Sequence, residues 1–423
     1  MNSRLKKQKT IMLCRGSDVT GSAGDPRQVS EKLVSLRFRT IFCLSLLIAA
    51  LLTSAGAQTS EQQPILTADQ YTEEGNRYAR EKQYDKAVDA FRLAIKLDPN
   101  LAAAYFGLGS TYANMGRMSD ALEPLKTAVR LDPNNAAAHL NLGRALASFR
   151  HFDEGLAEMN EAKRLSPNNA VVHNEIGNLL LQGFGKFDDA LAAYIEARRL
   201  NPNLPYVHHN IGLLFMKRGR FLEAIPPFEE ALRLDPRYRN ARYYLADAYT
   251  KTHSYDKAID SWTKFLEIVP NGPDALTNRS WTYLYEGGHG REAAADARTF
   301  LEVHGWQKTT SPYLAIMANL GYREAGLNEE AQSILEEASN KIKTASWPFG
   351  IIRYLRGELS AEELLQLATD NDKKTEAHAY MGMDLLLNGK NNEAGTHFEW
   401  VKEYGNKRFF EYPLAIEELK RLK

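Results

Sequence analysis

Cysteine is nearly absent from this chain. The 423 residues include only Cys14 and Cys43, and both lie within the first 57 positions. A segment without cysteine cannot form a disulfide, an iron–sulfur cluster, a thiolate zinc site or a cysteine nucleophile. Residues 58–423 are therefore excluded from all of these chemistries.

Excess positive charge is also missing from most of the chain. Residues 1–57 hold nine basic and three acidic side chains, which leaves 44 basic and 50 acidic side chains for residues 58–423. A mildly acidic segment lacks the positive patch that binds nucleic acid or an anionic membrane surface. We therefore expect no nucleic-acid partner, and a membrane contact only through the N-terminal apolar segment.

Common catalytic and ligand-binding motifs are absent as well. The sequence has no Gly-x-Ser-x-Gly, no His-Glu-x-x-His, no Walker loop and no Rossmann glycine pattern. We expect no enzymatic activity, no cofactor and no metal. The alternative is a hydrolytic site near His289, Glu302 and His304, although their spacing matches no catalytic motif.

An apolar run from Ile41 to Leu52 follows Arg37 and Arg39 and precedes the small residues Ala55-Gly56-Ala57. This order is typical of a secretory signal peptide, which we place at residues 37–57 with cleavage after Ala57. We therefore expect a periplasmic or secreted protein; the alternative is an anchor that stays uncut. Residues 1–36 form an N-terminal extension that is disordered or not translated, and residues 58–67 form a linker.

One phrase recurs along the chain, as in "LAIKLDPN" and "TAVRLDPN". Its prolines are spaced by 34, 34, 35, 34 and 34 residues, and they are Pro99, Pro133, Pro167, Pro202, Pro236 and Pro270. A fixed period of this length is typical of a repeat array. The extra residue falls in "LQGFGKF", where we expect a longer turn between two helices.

The same residue types recur inside each unit. A glycine precedes the proline by 24 to 25 residues in five units, and a large side chain precedes it by eight residues. The large residues are Phe91, Leu125, Met159, Tyr194, Phe228 and Trp262. Apolar residues at three- and four-residue spacing predict two amphipathic helices per unit. Small residues allow close approach of the helices, the large residue fills the gap between units, and proline ends the second helix.

This pattern resembles the tetratricopeptide repeat, whose period is 34 residues. The resemblance predicts six regular units over residues 68–270 and two degenerate units over 271–345. We expect an all-α, right-handed superhelical solenoid of about eight to nine helix pairs. Residues 346–423 would form a helical, repeat-like block that caps the array.

The C-terminal block resembles that of the NlpI family of bacterial envelope lipoproteins. The residues that carry the resemblance are Trp347, "YLRGELS", Glu376, "YMG", Gly389, Ala394, Phe398, Glu411 and "AIEEL". The resemblance implies a scaffold in the bacterial envelope that brings proteases and murein hydrolases to their substrates. This chain lacks the lipid-attachment cysteine and has more repeats.

Asparagine recurs on the predicted inner face of the array. An asparagine amide offers both a donor and an acceptor, so a row of amides can hold the backbone of an extended peptide. The candidate groove residues are Asn141, Asn174, Asn178, Tyr206, His209, Asn210, Asn240, Tyr243, Asn278 and Trp281. Glu175 and Tyr244 interrupt the row. It resembles the asparagine ladder in the repeats of the enzyme that attaches N-acetylglucosamine to serine and threonine.

The sequence therefore predicts a non-catalytic scaffold that binds a protein or peptide partner in its concave groove. Two alternatives stay open: the asparagines bond only to their own repeats or to water, or the protein is a self-associating structural protein, for which a homodimer is possible. The chaperone-type carboxylate clamp is excluded because Ala137 and Asn141 occupy two of its basic positions. His139, His173 and His208 share one repeat position, where we expect packing rather than metal binding.

Overall fold

The recurring phrase ends one helix and begins the next. Asp98 lies just past a helix in extended conformation, with φ −133° and ψ 98°. Its carboxylate accepts a hydrogen bond of 2.9 Å from the backbone N–H of Asn100, and Asp132 and Asp235 accept equivalent bonds of 3.2 and 3.0 Å. A short acceptor side chain that bonds two residues ahead stabilises a turn, and the proline inside that turn cannot continue the helix.

The computed structural model describes residues 66–343 and 347–423, which contain 21 helices and no strand. The helices are α1 Ala68–Arg80, α2 Tyr84–Leu97, α3 Ala102–Asn114, α4 Met118–Leu131, α5 Ala136–Ser148, α6 Phe152–Leu165, α7 Ala170–Phe184, α8 Phe187–Leu200, α9 Pro205–Lys217, α10 Phe221–Leu234, α11 Arg239–Lys251, α12 Tyr255–Ile268, α13 Pro273–Glu286, α14 Gly290–His304, α15 Ser311–Glu324, α16 Asn328–Lys341, α17 Phe349–Leu355, α18 Ala361–Leu367, α19 Asn371–Leu387, α20 Asn391–Tyr404 and α21 Glu411–Arg421. The predicted N-terminal extension, the signal peptide and most of the linker lie outside the described residues.

Consecutive helices pack as antiparallel hairpins from α1–α2 through α15–α16, and α19–α20 form a further pair. These nine pairs confirm the predicted all-α solenoid. The six large side chains that precede the prolines are at most 2% exposed, so they fill the gaps between helices as predicted.

The small residues mark the closest helix contacts. A Cβ atom built on Gly212 would lie 2.6 Å from Cε1 of Phe228, and one on Gly177 would lie 2.6 Å from Cε1 of Tyr194. Carbon atoms pack favourably at about 3.5–4.0 Å. The glycine therefore allows the large aromatic ring to lie flat against the first helix of its own pair.

The predicted packing histidines are confirmed. His139, His173 and His208 are 7%, 8% and 6% exposed. In each, Nε2 lies 2.7–3.0 Å from the carbonyl oxygen of the proline six residues earlier. Each ring thereby ties the start of a unit to the turn that precedes it.

The extra residue of the fourth unit does not lengthen the turn, so that prediction is wrong. Helix α7 has 15 residues, two more than the 13 of α5 or α9, and Gly185 ends it with a left-handed φ of 63°. Only residues 185 and 186 separate it from α8. The added residue is absorbed by the helix because hydrogen-bonded helical geometry is favoured over a longer open loop.

The C-terminal helices return to the repeats. Helix α21 packs on α19 and α20 and also on α13, more than 120 residues earlier in the chain. The largest apolar cluster runs from Leu276 to Leu419 and joins these helices. In the part of the chain that the structure describes, no helix is both long enough and apolar enough to cross a membrane.

Candidate peptide-binding surface

The first helices of successive pairs form the concave face. Helix α3 contacts α5, α5 contacts α7 and α7 contacts α9, whereas among the described helices the second helices of successive regular pairs do not contact one another. A stack whose first helices are closer together than its second helices curves toward the first helices. The concave face is therefore lined by α3, α5, α7, α9, α11 and α13.

Asn141, Asn178 and Asn210 are half-buried on the α5, α7 and α9 part of this face, and Asn174 is buried beneath it. Asn174, Asn178 and Asn210 form one network. The amide nitrogen of Asn210 on α9 donates to Oδ1 of Asn174 at 2.9 Å and to Oδ1 of Asn178 at 3.1 Å, both on α7. The Tyr194 hydroxyl also donates to Oδ1 of Asn178, at 2.8 Å. On α5, Asn141 donates to Oγ of Ser110 on α3 at 2.9 Å. The amides of Asn141 and Asn210 are thus directed sideways, toward the preceding unit.

The amide oxygens of Asn141 and Asn210 accept no hydrogen bond from any described residue, and neither atom is among the buried polar atoms that lack a partner. Both residues are half-buried. These two oxygens therefore remain available as acceptors for a backbone N–H group that approaches along the concave face.

Glu175 interrupts the asparagine row, as the sequence indicated, but it is part of the same network. Its carboxylate lies 3.3 Å from the amide nitrogen of Asn174 and 3.4 Å from that of Asn178, and Arg144 lies 3.9 Å from it. Burial raises the pKa of Tyr206, and the charge of Glu175 adds to that rise. Tyr206 therefore stays neutral and can donate from its hydroxyl.

Further along the concave face the predicted residues are less connected. Asn240 on α11 is exposed, and its side chain bonds to no other described residue. Asn278 on α13 lies 3.5 Å from the Tyr243 hydroxyl, which is the outer limit of a hydrogen bond. The ring of Tyr243 packs edge-on against Trp262, with centroids 5.0 Å apart, so most of this tyrosine belongs to the core.

His209 does not line the groove. It is 5% exposed, and its ring lies 5.1 Å from Tyr238, 5.6 Å from Phe228 and 5.7 Å from Tyr244. Its Nδ1 is buried without a hydrogen-bond partner. Burial lowers the pKa of His209 to about 4, so it is a neutral core residue that a peptide cannot reach.

Trp281 does lie on the concave face, but the chain itself covers it. Its ring is 3% exposed and stacks on Phe410, with centroids 5.5 Å apart and an interplanar angle of 11°. The Tyr285 hydroxyl donates to the carbonyl oxygen of Phe410 at 2.9 Å. Glu417 on α21 lies 2.7 Å from Nδ1 of His253. The C-terminal segment thus crosses the concave face at α11 and α13.

Sequence reasoning missed Ser110 and Arg144 as members of the surface. Both occupy the position directly after the repeat glycine, the same position as Asn178. Comparing this position between units could have identified them. The sequence contains no comparable indication for the contact between Trp281 and Phe410, because neither residue's repeat position predicts it.

The residues of the alternative hydrolytic site each have a structural partner. His304 bonds through Nε2 to the carbonyl oxygen of Asn271 at 2.7 Å. Glu302 pairs with Arg298 at 2.8 Å. His289 lies 3.5 Å from the Glu286 carboxylate. Within the described residues, no group of three or more histidine, cysteine or acidic side chains could hold a metal ion.

Comparison with known families finds tetratricopeptide repeats in this chain. One family model, described as a TPR repeat, matches residues 75–116 and 185–219, and a second, described as a tetratricopeptide repeat, matches residues 106–170 and 209–273. The predicted repeat identity is confirmed.

A curated relative is described as the lipoprotein NlpI homolog of Haemophilus influenzae. It is 27% identical over 202 residues, which cover 46% of this chain and 62% of the relative. The chain therefore spans about three-fifths of the length of this relative. The predicted resemblance to NlpI is confirmed at this level.

Solved structures of other repeat proteins are also similar. A MamA protein is 27% identical, covering 40% of this chain and 92% of that chain with a TM-score of 0.35. A thermophilic TPR protein of Thermus thermophilus is 24% identical, covering 44% and 100% with a TM-score of 0.39. YrrB, described as a TPR protein with an unusual peptide-binding site, is 23% identical, covering 45% and 97% with a TM-score of 0.35. The fold assignment rests on the repeat pattern and the helix packing, not on these likenesses.

Proposed function

We propose that this tetratricopeptide-repeat chain is a non-catalytic scaffold that holds an extended segment of a protein partner along its concave face. The observation that supports this most directly is the amide network of Asn174, Asn178 and Asn210, which spans two units on that face. Repeat arrays use their concave surfaces for binding, and this one presents polar groups suited to a peptide backbone.

The network fixes the asparagine side chains in positions where they can bind a peptide backbone whatever the peptide's side chains are. Because the N–H groups of Asn141 and Asn210 are already bonded to the neighbouring unit, their side chains are fixed and their oxygens point to a defined place. Fixed groups lose little conformational freedom on binding. Peptide N–H groups donating to these oxygens would be recognised whatever the side chains of the partner.

Asn240 and Tyr206 add further groups that a peptide could contact on the concave face. Asn240 offers both a donor and an acceptor, since its side chain bonds to no described residue. Tyr206 is about half-buried and contributes a neutral hydroxyl beside an apolar ring. These groups extend the proposed contact over α9 and α11.

We place the scaffold in the bacterial envelope, exported by the segment at residues 37–57. The order of basic, apolar and small residues in that segment supports export, and the similarity to a lipoprotein NlpI homolog supports the envelope. The family implies a role in assembly or proteolysis there, with a protein partner and without a cofactor.

The proposal is tested by crosslinking and affinity capture from an envelope extract. The baits are the wild-type chain and the Asn141→Ala/Asn210→Ala double variant, with Leu222→Ser as a control because Leu222 is 73% exposed on a second helix. Each lost hydrogen bond weakens binding by about 1 kcal/mol, so the double variant should retain about a tenth or less of the partner. A partner held equally by all three baits would refute the concave-face proposal.

A further inference from the structure

A cavity lies where the C-terminal segment crosses the concave face. Its volume is about 140 Å³, which is roughly that of four or five water molecules. Its lining includes Trp281 and Tyr285 of α13 and residues 407–410 of the loop before α21. A single side chain or chain terminus fits in this volume, but a folded segment does not.

The rim of the cavity carries more positive than negative charge. Lys251, Lys407 and Arg408 line it, are exposed, and have no carboxylate within 4.0 Å in the described part of the chain. The neighbouring cations on α21 differ, since Lys420 pairs with Glu417 and Arg421 pairs with Glu418. Among the described residues, none of the three rim cations therefore forms an ion pair, although Lys251 is close enough to Asp247 to affect the pKa of that carboxyl.

The aromatic lining of the cavity would strengthen an ionic contact. Trp281 and Tyr285 are 3% and 2% exposed, and the ring of Phe410 lies 5.9 Å from Nζ of Lys251. Aromatic walls exclude water, and opposite charges attract more strongly where water is excluded. Asn278 also lines the cavity, and the one contact of its amide is the 3.5 Å approach to Tyr243, so this amide can donate to a ligand.

We propose that this cavity binds a carboxylate of the partner peptide, either from an acidic side chain or from the C-terminus. The proposal rests on the function proposed above and adds the chemistry of the ligand at one end of the concave face. The site differs from the repeat-borne clamp excluded by Ala137 and Asn141, because two of its three cations come from the loop before α21.

Asp247 provides a test of whether the cavity prefers an anionic or a cationic ligand. It lines the cavity, and no described residue hydrogen-bonds its carboxylate. Burial raises the pKa of Asp247, while Lys251 opposes that rise. A carboxylate ligand would share the rim cations with Asp247 and be repelled by it, whereas a cationic ligand would be attracted by it. The Asp247→Asn substitution therefore changes the two affinities in opposite directions.

The experiment measures binding of labelled peptides of glycine, serine and alanine to the full chain by fluorescence anisotropy. One peptide has an internal glutamate and an amidated end, a second has a free C-terminal carboxylate and no acidic side chain, a third is neutral and amidated, and a fourth has an internal lysine. The protein variants are Asn210→Ala, Asp247→Asn, the Lys407→Gln/Arg408→Gln pair and the Lys374→Gln/Lys390→Gln pair. The last pair removes the same charge from positions outside the cavity.

We expect one or both carboxylate peptides to bind more tightly than the neutral peptide. Losing the two loop cations, Lys407 and Arg408, should weaken that binding about three- to tenfold, the control pair should leave it unchanged, and Asp247→Asn should tighten it severalfold. The first two peptides show which source of carboxylate is used. Equal binding of all peptides, or tighter binding of the lysine peptide that Asp247→Asn abolishes, would overturn the proposal.

Failure of this site and failure of the proposed function give different results. If only the cavity proposal is wrong, peptide binding is insensitive to the rim cations but is still reduced by Asn210→Ala. If the proposed function is wrong, Asn210→Ala has no effect on any peptide.

Discussion

Replacing Asn210 with alanine removes two hydrogen bonds between α7 and α9. Oδ1 of Asn174 would lose the one bond that it accepts from the described residues, and Asn174 is 2% exposed. Oδ1 of Asn178 keeps its bond from Tyr194. Leaving a buried acceptor unpaired costs about 1–3 kcal/mol. We therefore expect the contact between α7 and α9 to lose about 2 kcal/mol of stability.

The assay must resolve single units, because repeat arrays open locally as well as globally. Hydrogen exchange followed by mass spectrometry reports the protection of α7 and α9 separately. A loss of about 2 kcal/mol lowers the protection factor by about thirtyfold. The control is Asn240→Ala, which removes an exposed amide that bonds to no described residue and should leave protection unchanged.

If Asn210→Ala alters the protection of α7 and α9 no more than Asn240→Ala does, the proposed hydrogen bonds between α7 and α9 are wrong. The amides would then be bonded to water in solution rather than to each other. A double-mutant cycle with Asn174→Ala gives an internal check. When both Asn174 and Asn210 are replaced, no buried acceptor is left without a hydrogen bond. The double variant should therefore lose about 1 kcal/mol less stability than the sum of the losses of the two single variants.

Three further predictions concern the core. Burial lowers the pKa of His209 from 6.5 to about 4. Between pH 6.5 and about pH 4 the histidine is therefore protonated in the unfolded chain but neutral in the folded chain, so the free energy of unfolding falls as the pH drops through this range. His209→Phe should remove up to about 3 kcal/mol of this pH-dependent loss of stability. The measurement is urea unfolding of the wild type and the variant as a function of pH, and identical pH profiles would contradict the prediction. Gly212→Ala should destabilise the fifth unit by about 1–3 kcal/mol, because its Cβ would lie 2.6 Å from Phe228, and unchanged exchange of α9 and α10 would contradict this. Asp296→Ala should cost about 3–5 kcal/mol, because the largely buried Arg279, which now lies 2.7 Å from that carboxylate, would keep only its hydrogen bond to Thr263 and lose its counter-ion. Replacing both Arg279 and Asp296 by apolar residues should restore most of the thermal stability, and a double variant as unstable as the single one would contradict this prediction.

The helix pairs could be predicted from the sequence because each unit repeats the same local contacts. Proline in the turn, glycine beside a large ring and a histidine bonded to a proline carbonyl are all consequences of fixed positions within one period. The longer helix α7 departs from the prediction for a local reason as well. One inserted residue can extend either a helix or a turn, and spacing alone does not distinguish them.

The candidate surface was predictable only in part. The positions of Asn141, Asn174 and Asn210 on the concave face follow from the repeat register, but their bonds to each other depend on side-chain rotamers that the register does not specify. The burial of His209 among aromatic rings and the stacking of Trp281 on Phe410 depend on contacts between distant segments. Residues 407–410 reach α13 because α21 packs back onto it, and no periodicity in the sequence encodes that contact.

The most direct measurement of the central claim is photo-crosslinking from single positions in living cells. A photoreactive residue is placed at Asn240, which is exposed on the concave face, or at Leu222, which is 73% exposed on the second helix of the preceding pair. We predict that a protein partner is crosslinked from Asn240 and not from Leu222. Crosslinking from Leu222 alone would contradict it and place the partner on the outer face of the repeats.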